Sequence, residues 1–435
     1  MLALGAGAVA AGAAVSLLRH PGGVAWDTVY AEDGAVFLAD AVAAPGWGGL
    51  LSAYAGYYHL VPRLLGALAA AFPAPAAATV LAVSAAAVTA GVAVLVFVAS
   101  TGHLSSLLAR VLVAAPVVVA PLAQQEVPNS VANLHWPALY AVFWLLIWTP
   151  PGRVGRMVAP AVLLLTALSD ILIVAFLPLA ALRWLLRRDR YSAVLAGLLA
   201  IGIMVQMTAR FTGSGSRDLT LDPLPPVTGY LLRAVPATVL GERWLPEAGA
   251  DPRRLALAAA AWLLLAVVLL VAVRRVTSPR WVLAGAAAAQ SVVLYGLPVV
   301  LTGVAPSRYA VAPGLLLVVA LVALLHPAPP PAGSATPAGP ATTSAGPAAG
   351  GEQPAPAPPR RATRAPLVAF ALLCIAVWTV NLQVDTERGH GPGWGAEVDR
   401  AQMRCAEDAT ARVELRITPA ASGWRASLPC DYLVD

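Results

Sequence analysis

The sequence predicts an all-α, polytopic membrane protein, and three observations support this fold class. Of the 435 residues, 59% are hydrophobic and only 11% are charged, whereas charged residues make up about 25% of a soluble domain. The mean hydropathy of the chain is +0.74. The apolar residues form helix-length runs rich in Leu, Val and Ala, unlike the short alternating segments of outer-membrane barrels. The spans are therefore expected to be helices.

The apolar runs predict about eleven spans, because most runs come close to the ~20 residues that a helix needs to cross a bilayer. The single-span runs are residues 1–18, 75–99, 105–122, 130–149, 193–212, 256–273, 282–303, 311–327 and 365–383. Residues 157–186 form a longer run with arginines at both ends, which places both ends on the same side of the membrane. This run is predicted to cross twice, as two short helices that turn at Ser169 and Asp170.

The arginines predict the orientation of the chain, because basic residues mark cytoplasmic loops. The arginine-rich stretches 153–156, 183–190, 274–280 and 360–364 are therefore expected inside. Segments 19–74, 123–130, 213–255 and 304–310 and the C terminus are then expected outside. The net charge of +6 thus indicates membrane topology, and no nucleic-acid partner is expected.

The residue usage indicates the source of the protein. The chain contains Arg but no Lys, and it is rich in Ala, Gly and Pro, a composition typical of a GC-rich bacterial genome. The expected location is the bacterial plasma membrane, with a multi-pass chain whose active face is extracytoplasmic.

The chain is predicted to have four parts. Residues 1–327 form a transmembrane domain, and residues 328–364, almost wholly Pro, Ala, Gly, Ser and Thr, form a disordered cytoplasmic linker. Residues 365–384 form the final transmembrane helix, and residues 385–435 a small extracytoplasmic tail. A disulfide between Cys405 and Cys430 is predicted in the tail, because that compartment lets disulfides persist.

Two adjacent carboxylates, Glu32 and Asp33, begin the first long polar loop within YAEDGAVF. Side chains of consecutive residues point apart, so only one of them is expected to reach a reacting atom. One is predicted to be a general base that takes a proton from a hydroxyl, and the other a scaffold or metal ligand. The alternative is a solvated pair or a helix N-cap.

The same loop continues to GYYHLVPR, where His59 and Arg63 lie four residues apart and would share a helical face. Arg63 and Arg308 are predicted to clamp a phosphate, because a guanidinium offers paired donors and stays charged beside lipid. The alternative for both is an interfacial anchor. Tyr57 and Tyr309, which lie close to these residues in the sequence, complete this part of the predicted site.

Three more polar residues are expected on the same side of the membrane. Asn133 and His135 can bind a sugar or phosphate oxygen, or else satisfy a backbone carbonyl between helices. Asp170 can bind substrate or cap the following helix. The sequence has no H-x-x-H, C-x-x-C or clustered Asp pattern that would mark a metal site, and no Walker motif that would mark a nucleotide site.

The many spans and the acidic pair in the first external loop resemble the GT-C superfamily of membrane glycosyltransferases. The chain is especially similar to actinobacterial membrane proteins of this type that carry an EDG motif, a GY-HL-PR motif, an N-x-H-W segment and a late R-Y pair. The likeness covers roughly residues 20–320. The superfamily more often has the acids in Asp-Glu order, which this chain reverses.

The resemblance implies transfer of a sugar from a polyprenyl-phosphate donor to an extracytoplasmic glycan or lipid acceptor, with Asp33 or Glu32 as general base. Arg63 and Arg308 would stabilise the departing polyprenyl phosphate. A divalent metal is the one cofactor that this hypothesis leaves open. The alternative is a lipid or solute transporter or flippase of the cell envelope, whose ionisable groups would line a path through the membrane. A third is a structural scaffold for cell-envelope assembly, in which the carboxylates would be unimportant.

Overall fold

The computed structural model describes residues 2–212, 221–245, 251–328, 364–383 and 385–434, and helices dominate these ranges. Within these ranges, five helical segments are long and apolar enough to cross a membrane: Ala74–Gly102, Arg190–Arg210, Pro252–Arg275, Trp281–Thr302 and Ser307–Leu325. The prediction of a mostly helical fold is thereby confirmed, and the length and composition of these five helices are those of membrane-spanning helices. Most of the predicted linker 328–364, and part of the loop 213–255, lie outside the described residues.

The α-helices are numbered in their order along the chain. They are α1 Leu2–Leu18, α2 Ala39–Ala43, α3 Trp47–Leu50, α4 Leu60–Ala70, α5 Ala77–Ala99, α6 Leu107–Ala114, α7 Pro116–Val119, α8 His135–Ile147, α9 Arg153–Ala167 and α10 Leu177–Arg187. They continue as α11 Arg190–Thr212, α12 Leu224–Gly229, α13 Val235–Leu240, α14 Pro252–Arg275, α15 Trp281–Thr302, α16 Val311–Leu325, α17 Ala365–Val380, α18 Glu387–His390, α19 Trp394–Glu407 and α20 Cys430–Val434.

Short 3-10 and π segments and two hairpins complete the fold. The 3-10 and π segments are Pro21–Trp26, Asp33–Leu38, Ala74–Ala76, Ser100–Gly102, Ala132–Leu134, Ile171–Phe176, Tyr230–Ala234, Glu242–Trp244, Ser307–Ala310 and Ala420–Ser422. The strands are β1 Ala53–Tyr54, β2 Tyr57–Tyr58, β3 Arg412–Arg416 and β4 Arg425–Pro429. β1 pairs antiparallel with β2, and β3 pairs antiparallel with β4.

Each predicted span falls on one or more helices. The predicted turn inside residues 157–186 lies between α9 and the 3-10 segment that leads into α10, and it carries Asp170. Helices α8 and α16 form the centre of the bundle, and α16 is hydrophobic on all sides, as expected for a helix with no solvent-facing side. Helix α14 lies at the periphery, where most of its surface is exposed.

The first loop, residues 19–59, ends in a tight hairpin that is fixed to the helix bundle. Ala55 and Gly56 have φ of 52° and 87°, the backbone that a two-residue hairpin turn requires at both central positions. The buried side chain of Gln206 accepts from the nitrogen of Tyr58 at 2.8 Å and donates to its carbonyl at 3.2 Å. These bonds hold the hairpin on α11.

The C-terminal tail, predicted to be a small extracytoplasmic unit, packs on the first loop. Thr418 forms a bridge with Tyr30, and Trp394 donates its indole N–H to the carbonyl of Ala74 at 2.8 Å. The first loop, α4, α5 and the tail contribute side chains to one hydrophobic core. The structure joins Cys405 and Cys430 in a disulfide with a Cα–Cα distance of 5.4 Å.

Candidate functional site

A cavity of about 510 Å³ lies where the first loop, the tail and the ends of several bundle helices meet. We call this the loop end of the bundle. Most of the predicted site residues line it: Glu32, Tyr57, His59, Asn133, His135, Asp170, Arg308 and Tyr309. Asp33 and Arg63 do not line this cavity. The structure thus brings together residues that are far apart in the sequence.

The two adjacent acids have different surroundings. Glu32 is partly exposed and lines the cavity, whereas Asp33 is buried, with 2% of its surface accessible. Ala31 precedes them with a φ of 39°, an unfavourable conformation for a residue other than glycine. Its N–H is held by the carbonyl of Thr418 at 2.6 Å. The tail therefore helps to fix the backbone that separates the two carboxylates.

The carboxylate of Asp33 accepts hydrogen bonds from the start of the segment that leads into α8. Its Oδ1 accepts from the nitrogen of Ala132 at 2.8 Å and from Ser130 Oγ at 3.1 Å, and its Oδ2 accepts from the nitrogen of Val131 at 3.2 Å. The two backbone donors, Val131 and Ala132, lie at the N-terminal end of this helical segment, where N–H groups have no partner within the helix. Asp33 therefore positions the beginning of α8, which also carries His135.

Burial raises the pKa of the Asp33 carboxyl to about 7, while the positive charge of Arg388 and the hydrogen bonds from Ala132 and Ser130 act in the opposite direction. The cause is the loss of water around the charged form. Asp33 is thus costly to ionise, and the three hydrogen bonds offset part of that cost.

Arg388, in the tail, was not predicted as part of the site. It is 1% exposed, and its guanidinium lies 4.7 Å from the ring centroid of Tyr30. It donates to the carbonyl of Asn129 at 3.4 Å and to that of Thr28 at 3.5 Å. Burial lowers its pKa, and Asp33 raises it. No sequence pattern marks this arginine, because its partners belong to the first loop and to the segment before α8.

Arg63, which was predicted to clamp a phosphate together with Arg308, does not line this cavity. Arg63 is buried at 3% exposure, and its Nη1 lies 3.1 Å from Asp40 Oδ2. Its guanidinium also lies 5.8 Å from the ring centroid of Phe37. The side chain therefore joins α4 to α2, and a second, separate cavity of about 430 Å³ borders it.

His135 and Asp170 face each other at the cavity, with 3.8 Å between Nε2 and Oδ2. Asp170 also accepts from the nitrogen of Leu172 at 2.7 Å, which caps the segment Ile171–Phe176. The prediction that Asp170 caps the following helix is therefore confirmed. One oxygen caps the next helical segment, and the other faces the histidine.

Arg308 forms an ion pair with Glu126, whose other oxygen accepts from Ser307 Oγ at 3.3 Å. The backbone carbonyl of Glu126 accepts from Asn133 Nδ2 at 3.1 Å. Glu126 was missed by the sequence analysis, although it lies in the polar QQEVPNS stretch just before Asn133. Arg210, at the end of α11, brings a second guanidinium to the same cavity.

Aromatic rings cover much of the remaining wall. The rings of Tyr57 and His59 have centroids 4.0 Å apart, and those of Trp136 and Tyr309 have centroids 5.4 Å apart. The tail contributes Trp424, which the sequence analysis also missed, to the lining. A largely aromatic wall with a few convergent polar groups is typical of small-molecule sites.

No family model, no curated protein and no solved structure matches the chain. What the cavity can do therefore follows from its own side chains. Within the described ranges, no group of three or more His, Cys, Asp and Glu side chains is arranged to hold a metal ion. The cavity offers an accessible carboxylate, a histidine–carboxylate pair and two guanidinium groups.

Proposed function

We propose that the protein is a membrane glycosyltransferase that moves a sugar from a polyprenyl-phosphate donor to the hydroxyl group of an extracytoplasmic glycan or lipid. The observation that carries the proposal is one cavity that holds an accessible carboxylate, Glu32, together with the guanidinium groups of Arg308 and Arg210. Proton removal from an acceptor and stabilisation of a departing phosphate require these two kinds of group in one site.

Glu32 is the general base in this proposal, and Asp33 is a positioning residue. Glu32 is partly exposed at the cavity and can approach an acceptor hydroxyl. Both oxygens of Asp33 already accept hydrogen bonds from Ser130, Val131 and Ala132. A carboxylate held in this way has little freedom to approach substrate.

The chemical step balances without a further reactant. The acceptor oxygen attacks the anomeric carbon and gives its proton to Glu32, while the bond between that carbon and the phosphate oxygen breaks. Its electron pair leaves with the polyprenyl phosphate. Arg308, held in place by Glu126, stabilises the added negative charge. The lipid phosphate lies at the bundle side of the cavity, near Arg210 and the end of α15.

The proposal places the loop end of the bundle outside the cell and includes about eleven spans. Several of the helices whose ends lie at or near the cavity carry arginines at their opposite ends. Helix α15 brings Thr302 to the cavity and is preceded by Arg280, and α11 brings Arg210 and begins at Arg190. Helix α9 begins with an arginine and helix α10 ends with one, and the two helices meet at the turn that carries Asp170. Arginines at the helix ends far from the cavity favour a cytoplasmic location for those ends.

The test is a transfer assay with purified protein in lipid vesicles. A panel of polyprenyl-phosphate donors with radiolabelled sugars is supplied with cell-envelope acceptors, and both labelled acceptor and free polyprenyl phosphate are measured. The proposal predicts that the two products appear in equal amounts. It is wrong if no donor is consumed, and movement of intact donor across the vesicle membrane would favour a flippase instead.

A further inference from the structure

The tip of the tail hairpin forms one wall of the cavity. Strands β3 and β4 carry the chain to this tip and back, and Trp424 follows Gly423, whose φ of 72° lies in the left-handed region that favours glycine. The nitrogen of Ile417 donates to the carbonyl of Trp424 at 3.3 Å. Trp424 is partly exposed and lines the cavity, as does the neighbouring tail residue Pro419.

Backbone hydrogen bonds and a shared hydrophobic core fix the position of this hairpin relative to the acidic pair. Thr418 donates to the carbonyl of Val29 at 3.0 Å, and its own carbonyl accepts from Ala31 at 2.6 Å. Ile417 and Leu415 are buried in the core that the tail shares with the first loop. Ala31 precedes Glu32 in the chain, and the backbone of Ile417 is hydrogen-bonded to the backbone of Trp424. The side chains of Glu32 and Trp424 therefore belong to one rigid arrangement.

The two walls of the cavity differ in charge. The bundle wall carries charged groups, among them Arg210 and the ion pair of Arg308 with Glu126, whereas both tail residues that line the cavity, Pro419 and Trp424, are uncharged. In the proposed function, the guanidinium partners for a phosphate are therefore at the bundle wall. An uncharged ring with an apolar face suits the tail wall, because the negative face of an indole attracts the weakly positive C–H groups of a sugar ring.

We propose that Trp424 is a stacking platform for the acceptor saccharide, so that the tail selects a glycan acceptor. The identification of the bound sugar as an acceptor rests on the proposed function. Binding of a sugar at Trp424 can nevertheless be measured without transfer. The platform holds the acceptor ring over the tail wall, and the acceptor hydroxyl then points to Glu32. Pro419 closes the same wall beside it.

The binding experiment uses saturation-transfer NMR on the full chain in detergent with a panel of probes, the methyl glycosides of glucose, galactose, mannose and arabinose. At least one glycoside is expected to receive magnetisation from the wild type. We expect that signal to fall at least fivefold in Trp424→Ala and to persist in Trp424→Phe, since stacking needs an aromatic face. Trp26→Ala is the matched control, because Trp26 is 43% exposed and does not line the cavity.

The outcomes separate this inference from the proposed function. Equal signals in the wild type and Trp424→Ala, or no glycoside bound by the wild type, would overturn the platform. A signal that depends on Trp424 in a protein that transfers no sugar would support the platform and contradict the glycosyltransferase proposal. Where transfer is active, Trp424→Ala should raise the KM for acceptor about tenfold, because the acceptor ring loses its aromatic contact, and should leave the KM for donor unchanged.

Discussion

The Oδ1 atom of Asp33 lies 2.8 Å from the backbone nitrogen of Ala132, and this bond connects the first loop to the segment that begins α8. Glu32, the neighbouring acid, lines the cavity instead. The EDG motif therefore combines two roles in adjacent residues. One carboxylate holds the site together, and the other is accessible to a ligand.

Asp33 should make the stability of the protein depend on pH. Its folded pKa of about 7 lies above the ordinary value of 3.8, so the folded state binds the proton more tightly than the unfolded state. Its contribution to stability is therefore full below pH 3.8, falls as the pH rises, and is lost above about 7. Thermal unfolding of the wild type and Asp33→Asn at pH 4.5, 6 and 8 measures this effect. The advantage of the wild type over the variant should shrink with rising pH, and a constant difference would refute the assignment.

Arg388 and Asp33 should be energetically coupled. Replacement of Arg388 by Met removes a positive charge that favours the ionised form of Asp33, and the loss of this interaction should cost about 2 kcal/mol, within the range for interacting groups. In Asp33→Asn that cost largely disappears. Chemical denaturation of both single variants and the double variant should therefore give a coupling free energy of about 2 kcal/mol. Strict additivity would show that the two groups do not interact.

Arg308 and Arg63 should respond differently to replacement by Lys. At Arg308, Lys keeps the charge beside Glu126 but loses the planar pair of donors, so kcat/KM for the donor should fall about tenfold. At Arg63, the same change disturbs the contact with Asp40 outside the cavity. It should lower the unfolding temperature and leave the kinetic constants as in the wild type. Steady-state transfer rates distinguish the two, and a kinetic defect in Arg63→Lys would contradict the assignment.

Gly34, the third residue of the EDG motif, should be required for docking of the tail. A Cβ at this position would lie 2.6 Å from Val29 Cγ1 and 3.1 Å from Ile417 Cδ1. Gly34→Ala should therefore destabilise the protein by about 2 kcal/mol and expose the tail to protease. Gly285→Ala is the control, because a Cβ there meets no atom within 4 Å and Ala favours a helix. Equal protease resistance of the two variants would contradict this explanation of the motif.

The sequence predicted those features of the fold that depend on residues close together in the chain. Run length and hydropathy located the helices, and the arginines around residues 157–186 predicted the turn that carries Asp170. The split between Glu32 and Asp33 also followed from their adjacency. Their individual roles did not, because these depend on the donors of Ser130, Val131 and Ala132, which the fold brings to Asp33 from a distant segment.

The parts that escaped prediction are tertiary pairings between distant segments. Arg63 was assigned to substrate because its partner Asp40 belongs to another helix and no local spacing relates the two. Arg388 and Trp424 were missed because the tail has no apolar run or motif that indicates where it docks. Its position is determined by the bridge between Tyr30 and Thr418 and by the shared core.

The most direct measurement is the rate of sugar transfer by Glu32→Gln relative to the wild type, in vesicles and with both proteins shown to be folded. The glutamine side chain is nearly isosteric but cannot accept the acceptor's proton, so the rate should fall at least about 100-fold. Glu414→Gln, which changes an exposed carboxylate of the tail, should keep the wild-type rate. Transfer by Glu32→Gln at the wild-type rate would contradict the central claim that this carboxylate is the general base.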